Sequence, residues 1–170
     1  MSKLKVFTYP HPTLRIKSEP VTKFDKNLEK LLDDMVETMY AQEGIGLAAI
    51  QVGKPIRAIV LDVSQKEKSE PGLIKLINPE IIETSETTTY NEGCLSVPEI
   101  NEVVNRHKNI KVKVQDEKGN ERIIDASGLF AICIQHEIDH LNGILFIDRL
   151  SRLKRELLKS KLKKLEKGNA

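Results

Sequence analysis

Two histidines four residues apart, His136 and His140, stand in ICIQHEIDHLNG (132–143), with Glu137 directly after the first. On a helix, residues i and i+4 share a face, so both imidazoles can grip one metal ion. A carboxylate beside the first can handle protons for that ion's water. Two ligands do not make a site, and Cys94 in NEGCLSVPEI (91–100) is the candidate third. A glycine precedes it and Pro98 follows, so it sits in a tight, shaped segment. Thiolate and neutral imidazole are both good ligands for zinc or iron. Three protein ligands leave a fourth position for water, the arrangement of a catalytic site. The plain alternatives are a packed core thiol and an HExxH helix that binds nothing. A third stretch, EGIGLAAIQVG (43–53), tips the balance, because its glycines permit close backbone approach and Gln51 follows.

The elements that must position these residues are legible in outline. Ser127 to Asn142 reads as a helix, with Gly143 as its stop. A second helix runs from Asp25 to about Glu43. Asp25 is its N-cap, Leu28, Leu31, Leu32, Met35, Val36, Met39 and Tyr40 give its apolar repeat, and Gly44 and Gly46 stop it. The opening stretch YPHPTLR (9–15) should be extended and turn-rich. IRAIVLDV (56–63) reads as a buried strand and SQKEKSEPG (64–72) as a charged surface loop. LIKLINPEII (73–82) reads as a strand broken at Pro79. Residues 109–125 form a hairpin turning at Lys118-Gly119-Asn120. Residues 149–168 form a basic amphipathic helix, with Leu150, Leu153, Leu157, Leu158, Leu162 and Leu165 expected to dock. Helix, strands, helix, helix predicts an α+β class rather than alternating βαβ.

The totals narrow the function. A chain of 170 residues suits one domain, 1–170, with a single core. A net charge of +2 marks no nucleic-acid binder, so no DNA partner is expected. Two cysteines, Cys94 and Cys133, are too few for a disulfide framework. No signal-peptide core and no membrane-length apolar run stands out, so a cytoplasmic protein is expected.

GIGLAAIQ (44–51), EGCLS (92–96) and QHEIDH (135–140), in this order and spacing, resemble the three signature motifs of the peptide deformylases. The resemblance covers nearly the whole chain. It implies antiparallel or mixed sheets wrapped around a central helix bearing HExxH. It also implies removal of the formyl group from N-terminal formyl-methionine of nascent chains, in a bacterial cytoplasm or an organelle, by a monomer. The matching positions give Cys94, His136 and His140 as metal ligands and Glu137 as the proton carrier. The side-chain amide of Gln51 and the backbone N–H of Leu95 become oxyanion donors, and Gly46 belongs to the catalytic site. Bonding preference favours zinc for a thiolate and two imidazoles. The resemblance implies Fe²⁺ in the cell, with Zn²⁺, Ni²⁺ or Co²⁺ as substitutes.

Leu129, Ile132 and Cys133 share a helical stripe with His136 and His140. With Ile45 and the stem of Glu92 they could line a narrow apolar slot suited to methionine, and the resemblance assigns them the same pocket. They could equally be plain core. Glu92 and Arg106 are a candidate ion pair behind Cys94, while Asp139 either orients a ligand or faces solvent. Three rivals stand beside this reading. HEIDHLNGILF nearly matches a metzincin zinc peptidase, but Phe146 stands where the third histidine belongs. GIGLAA fits a dinucleotide fingerprint, but it follows a helix and precedes a strand, which reverses the required context. A non-catalytic, metal-stapled binding module would have no need of Glu137. Finally, residues 149–167 hold nine Lys and Arg against two Glu. That face is either simply solvated or a contact for ribosomal RNA phosphates.

Overall fold

The Asp25 side chain accepts a hydrogen bond from the Leu28 N–H and so opens α1 (Lys26–Ala41). Leu28, Leu32, Met35 and Met39 form its buried stripe. The helix does not end on a glycine as expected. Glu43 takes the left-handed position (φ 58°), with its N–H on the Tyr40 carbonyl and the Gly44 N–H on that of Met39. That pair of bonds is a Schellman ending built on a non-glycine residue. The computed structural model describes residues 2–68 and 70–168.

The strands form one antiparallel sheet in sequence order: β1 (Gly46–Ala48), β2 (Ala58–Leu61), β3 (Ile74–Cys94), β4 (Val97–Gln115) and β5 (Glu121–Ser127). The α+β class expected from the sequence is observed, with a single antiparallel sheet rather than several or mixed ones. Pro79 does not break β3. The register shifts between Ile77 and Glu80, and Asn78 adopts φ 49°. A bulge accommodates the missing proline donor. The Asn78 side chain holds the bulge, pairing with the Val21 N–H and carbonyl and with Gln115 Oε1 at 2.8–2.9 Å. Beyond the bulge, β3 and β4 continue as a long ribbon in which residues 82–87 are exposed. Such a ribbon carries no apolar alternation, so the sequence does not announce it. The β4–β5 hairpin lies where expected, and Asp116 Oδ1 accepts the N–H groups of Lys118 and Asn120 in its turn.

Helix α2 (Gly128–Leu141) carries the HExxH stretch, and every residue from Leu129 to Leu141 is buried. A helix apolar on nearly all sides belongs inside the protein. The Gln135 side chain clamps it to β4 by accepting from the His107 N–H and donating to the His107 carbonyl. The predicted basic helix is two segments, α3 (Arg152–Leu157) and α4 (Lys159–Gly168), separated at Leu158. Leu150 and Leu158 are buried, and Leu162 and Leu165 pack partly against them. Leu153 and Leu157 instead face solvent at 70% and 73% exposure. Consecutive helical residues point about 100° apart, so Leu157 and Leu158 cannot share one docking face. Among the described residues, no helix is long and apolar enough to cross a membrane.

Gly143 ends α2 at φ 75°, and a Cβ there would stand 2.5 Å from the Arg15 carbonyl oxygen. Gly143→Ala should therefore destabilise the protein by more than about 1 kcal/mol, read from the urea midpoint. An unchanged midpoint would show that the Arg15 backbone yields freely.

Candidate active site

Cys94 and Val97 pair at the tip of the β3–β4 ribbon, leaving Leu95 and Ser96 as a tight turn. The turn lays the Cys94 thiol against α2. Cys94 Sγ is 3.3 Å from His140 Nε2. One donor atom each from Cys94, His136 and His140 lie within 4.8 Å of one another. A tetrahedral ion bound at 2.0–2.3 Å would hold sulfur and nitrogen about 3.6 Å apart. Donor chemistry and spacing thus both fit a divalent zinc- or iron-type ion. His136 Nδ1 lies 2.8 Å from Glu92 Oε1, which leaves Nε2 free to face the ion. The Ser96 N–H points at Cys94 Sγ from 3.4 Å. His140 Nδ1 and Glu137 Oε1 are buried without a hydrogen-bond partner among the described residues.

The two imidazoles are pulled in opposite directions. Burial alone would lower His136, but hydrogen bonds to Cys94 and Glu92 push it well above the ordinary histidine range. Burial, aided by the nearby His136, holds His140 well below that range. Ion binding would then release a proton from His136.

Glu137 projects from α2 toward β1. A Cβ on Gly46 would lie 2.6 Å from Glu137 Oε2 and 3.0 Å from Cys133 Sγ. Only glycine leaves that carboxylate its place. Burial pushes Glu137 up to about 7, against the opposing pull of His136. A carboxyl group poised there can both take and give a proton near neutrality.

Gln51 is 1% exposed. Its Oε1 accepts from the Ala48 N–H at 2.9 Å, so its amide nitrogen must face the other way. That nitrogen donates to Ser96 Oγ at 3.0 Å and lies 3.7 Å from Cys94 Sγ. One end of this side chain thus caps a backbone group while the other faces the Cys94 turn.

A cleft of about 280 Å³ opens beside these groups. Ile45, Gly46, Glu92, Cys94, Leu95, Leu129, Ile132, Cys133, His136 and Glu137 all line it. Burial raises the Cys133 thiol well above its usual range, so it stays a neutral wall group. The Glu92 carboxylate is paired with Arg106 by two hydrogen bonds of 2.7 and 2.8 Å. Asp139 does not face solvent. It is buried and accepts from both Arg106 and Arg149, reaching the ligands only through Arg106. Phe146, in the metzincin third-ligand position, stacks on the His136 ring at 6.1 Å between centroids.

Sequence reasoning missed Ser96, which receives the Gln51 amide, and Lys66, Tyr90 and Asn101 on the cleft rim. Ser96 was detectable by its place beside Cys94. The rim residues come from separate elements and carry no local signal.

Burial would raise Glu92, but Arg106 and His136 outweigh it and hold this carboxyl at about 2, below its ordinary 4.5. A depressed carboxyl stabilises the fold above its unfolded value and loses that contribution as pH falls through its folded value. Stability should therefore drop between about pH 4.5 and 2, and Glu92→Gln should flatten that part of the profile. Parallel urea-unfolding profiles for the two proteins would assign the acid transition to other groups.

Comparison with known proteins agrees with this geometry. Residues 3–156 match the family described as Polypeptide deformylase. A peptide deformylase of Wolinella succinogenes is 47% identical over 168 residues, covering 98% of this chain and 99% of the relative. One from Phenylobacterium zucineum is 51% identical over 166 residues, covering 96% and 97%. Among solved structures, peptide deformylase from Legionella pneumophila has a TM-score of 0.89 at 41% identity, covering 98% of this chain and 96% of that one. Peptide deformylase from Ehrlichia chaffeensis in complex with actinonin has a TM-score of 0.89 at 45% identity, covering 96% and 98%. The chain belongs to the polypeptide deformylase family.

Proposed function

We propose that this chain, acting as a single catalytic domain, hydrolyses the formyl group from N-terminal formyl-methionine of nascent polypeptides. The products are formate and a free amino terminus. The observation that carries the reading is the meeting of one thiolate and two imidazoles beside a buried, neutral-range carboxyl group at the end of an apolar cleft. Helix α2 is the central helix of this arrangement, with the sheet laid around it.

Cys94, His136 and His140 would hold one divalent ion. Bound there, such an ion supplies Lewis acidity and an activated water near neutral pH. Glu137 would take a proton from the attacking water and give it to the departing amine nitrogen. The Gln51 amide and the Leu95 N–H donate to the formyl oxygen as it gains charge. Gly46 keeps the space in which Glu137 moves. Leu129, Ile132, Cys133, Ile45 and the stem of Glu92 receive the unbranched methionine side chain.

Fe²⁺ is the ion we assign in the cell, with Zn²⁺, Ni²⁺ or Co²⁺ able to substitute. We further assign a monomer, in a bacterial cytoplasm or organelle. Its basic C-terminal segment would meet ribosomal RNA phosphates, where formylated chains emerge. The peptidase reading is disfavoured by Phe146, which cannot ligate, and the binding-module reading by the tuned Glu137.

Glu137→Gln should retain one ion per chain and lose turnover of a formyl-methionyl tripeptide by about 10² to 10⁴. Gln51→Ala should lose about 10² to 10³, with ion content intact. A near-normal rate in either variant removes that residue from the mechanism. If the native ion is ferrous, peroxide should abolish activity in iron-loaded protein and spare zinc-loaded protein. Equal sensitivity in both would point to oxidation of Cys94 instead.

A further inference from the structure

A row of alternating charges leads from the surface to His136. Arg149 ends the short helical turn Phe146–Arg149. It donates Nε to Asp139 Oδ2 and Nη2 to Asp139 Oδ1, each at 2.6 Å. Asp139 Oδ2 also accepts from Arg106 Nη1 at 2.6 Å. Arg106 turns its other edge to Glu92, with Nε on Oε2 at 2.7 Å and Nη2 on Oε1 at 2.8 Å. Glu92 Oε1 then meets His136 Nδ1 at 2.8 Å. Arg106, Glu92 and Asp139 are each 4–6% exposed, while the Arg149 side chain is 43% exposed.

Charge counting shows why the outermost member matters. With His136 ligating as a neutral ring, the three buried groups hold two negative charges against one positive. Arg149 supplies the missing charge. Without it, Asp139 keeps Arg106 as its hydrogen-bonded cation, and Arg106 is already shared with Glu92. A buried carboxylate short of a counter-charge is costly, so the shared guanidinium would be drawn toward Asp139. Glu92 would lose its two-point grip, and with it the fixed direction of the His136 ring.

We propose that Arg149 is a positioning residue for the metal centre, acting through Asp139, Arg106 and Glu92 on His136. The inference rests on the reading of Cys94, His136 and His140 as ligands. The competing role is purely structural, with Arg149 pinning the turn Phe146–Arg149 against α2. That role would cost stability when lost but leave His136 undisturbed.

Co²⁺ distinguishes the two roles, because its visible spectrum reports ligand geometry. Arg149→Met keeps the aliphatic stem and removes the planar fork, and Arg149→Lys restores a charge without the fork. Affinity for Co²⁺ is measured by competition with a chromophoric chelator, alongside the visible spectrum and Tm. Arg149→Met should weaken Co²⁺ binding by about tenfold to a hundredfold and shift the visible bands, with Arg149→Lys intermediate. Wild-type affinity and spectrum in Arg149→Met, whatever its Tm, overturn the proposal. Should that variant fail to fold, Asp139→Asn decides: it keeps the shape and removes the charge, and unchanged Co²⁺ affinity overturns the proposal equally. Failure of the wild-type protein to take up one Co²⁺ would sink the ligand assignment itself.

Discussion

The Arg106 guanidinium, buried between the carboxylates of Glu92 and Asp139, joins the sheet to the helix that bears His136, Glu137 and His140. Glu92 on β3 pairs in register with Glu102, and Arg106 on β4 pairs with Thr88, so the two side chains meet diagonally across the ribbon, and Asp139 projects from α2. Apolar packing alone would let the ribbon tip slide along α2. Paired forks cannot slide without stranding a buried charge, which is severe in a dry interior. The Cys94 turn therefore stops where its sulfur meets His140, and the His136 ring is held by the same Glu92 oxygen that Arg106 grips.

Environment divides the labour between two glutamates close to one histidine. Burial would raise Glu92, but hydrogen bonds from Arg106 and His136 outweigh it and hold its carboxyl at about 2. Glu137 has none of those hydrogen bonds, and burial lifts it to about 7. One carboxylate is held as a charged brace and the other is left able to exchange a proton near neutrality, though the side chains are chemically identical. Gly46 belongs to the same division, because any side chain there would occupy the space of the Glu137 carboxylate.

What could be read from the residues follows from how local each signal is. Helix α1 declares itself through its Asp25 cap and apolar spacing, α2 through its Gly143 stop, and the β4–β5 turn through Lys118-Gly119-Asn120. The long β3–β4 ribbon was hidden because residues 82–87 of β3 are exposed on both faces. Pro79 looked like a strand end because a bulge needs the Asn78 side chain, whose partners Val21 and Gln115 are distant in sequence. Cys94, His136 and His140 could be proposed from residue chemistry. The role of Asp139 could not, since Arg106 and Arg149 reach it from different elements.

The central claim is that one sulfur and two ring nitrogens converge on a single ion with a corner left for solvent. X-ray absorption fine structure of metal-loaded protein tests it directly. Zinc-loaded protein should show one sulfur at about 2.3 Å, two imidazole nitrogens at about 2.0–2.1 Å and one light oxygen scatterer. A shell without sulfur, or one completed by a fourth protein ligand, would contradict the account.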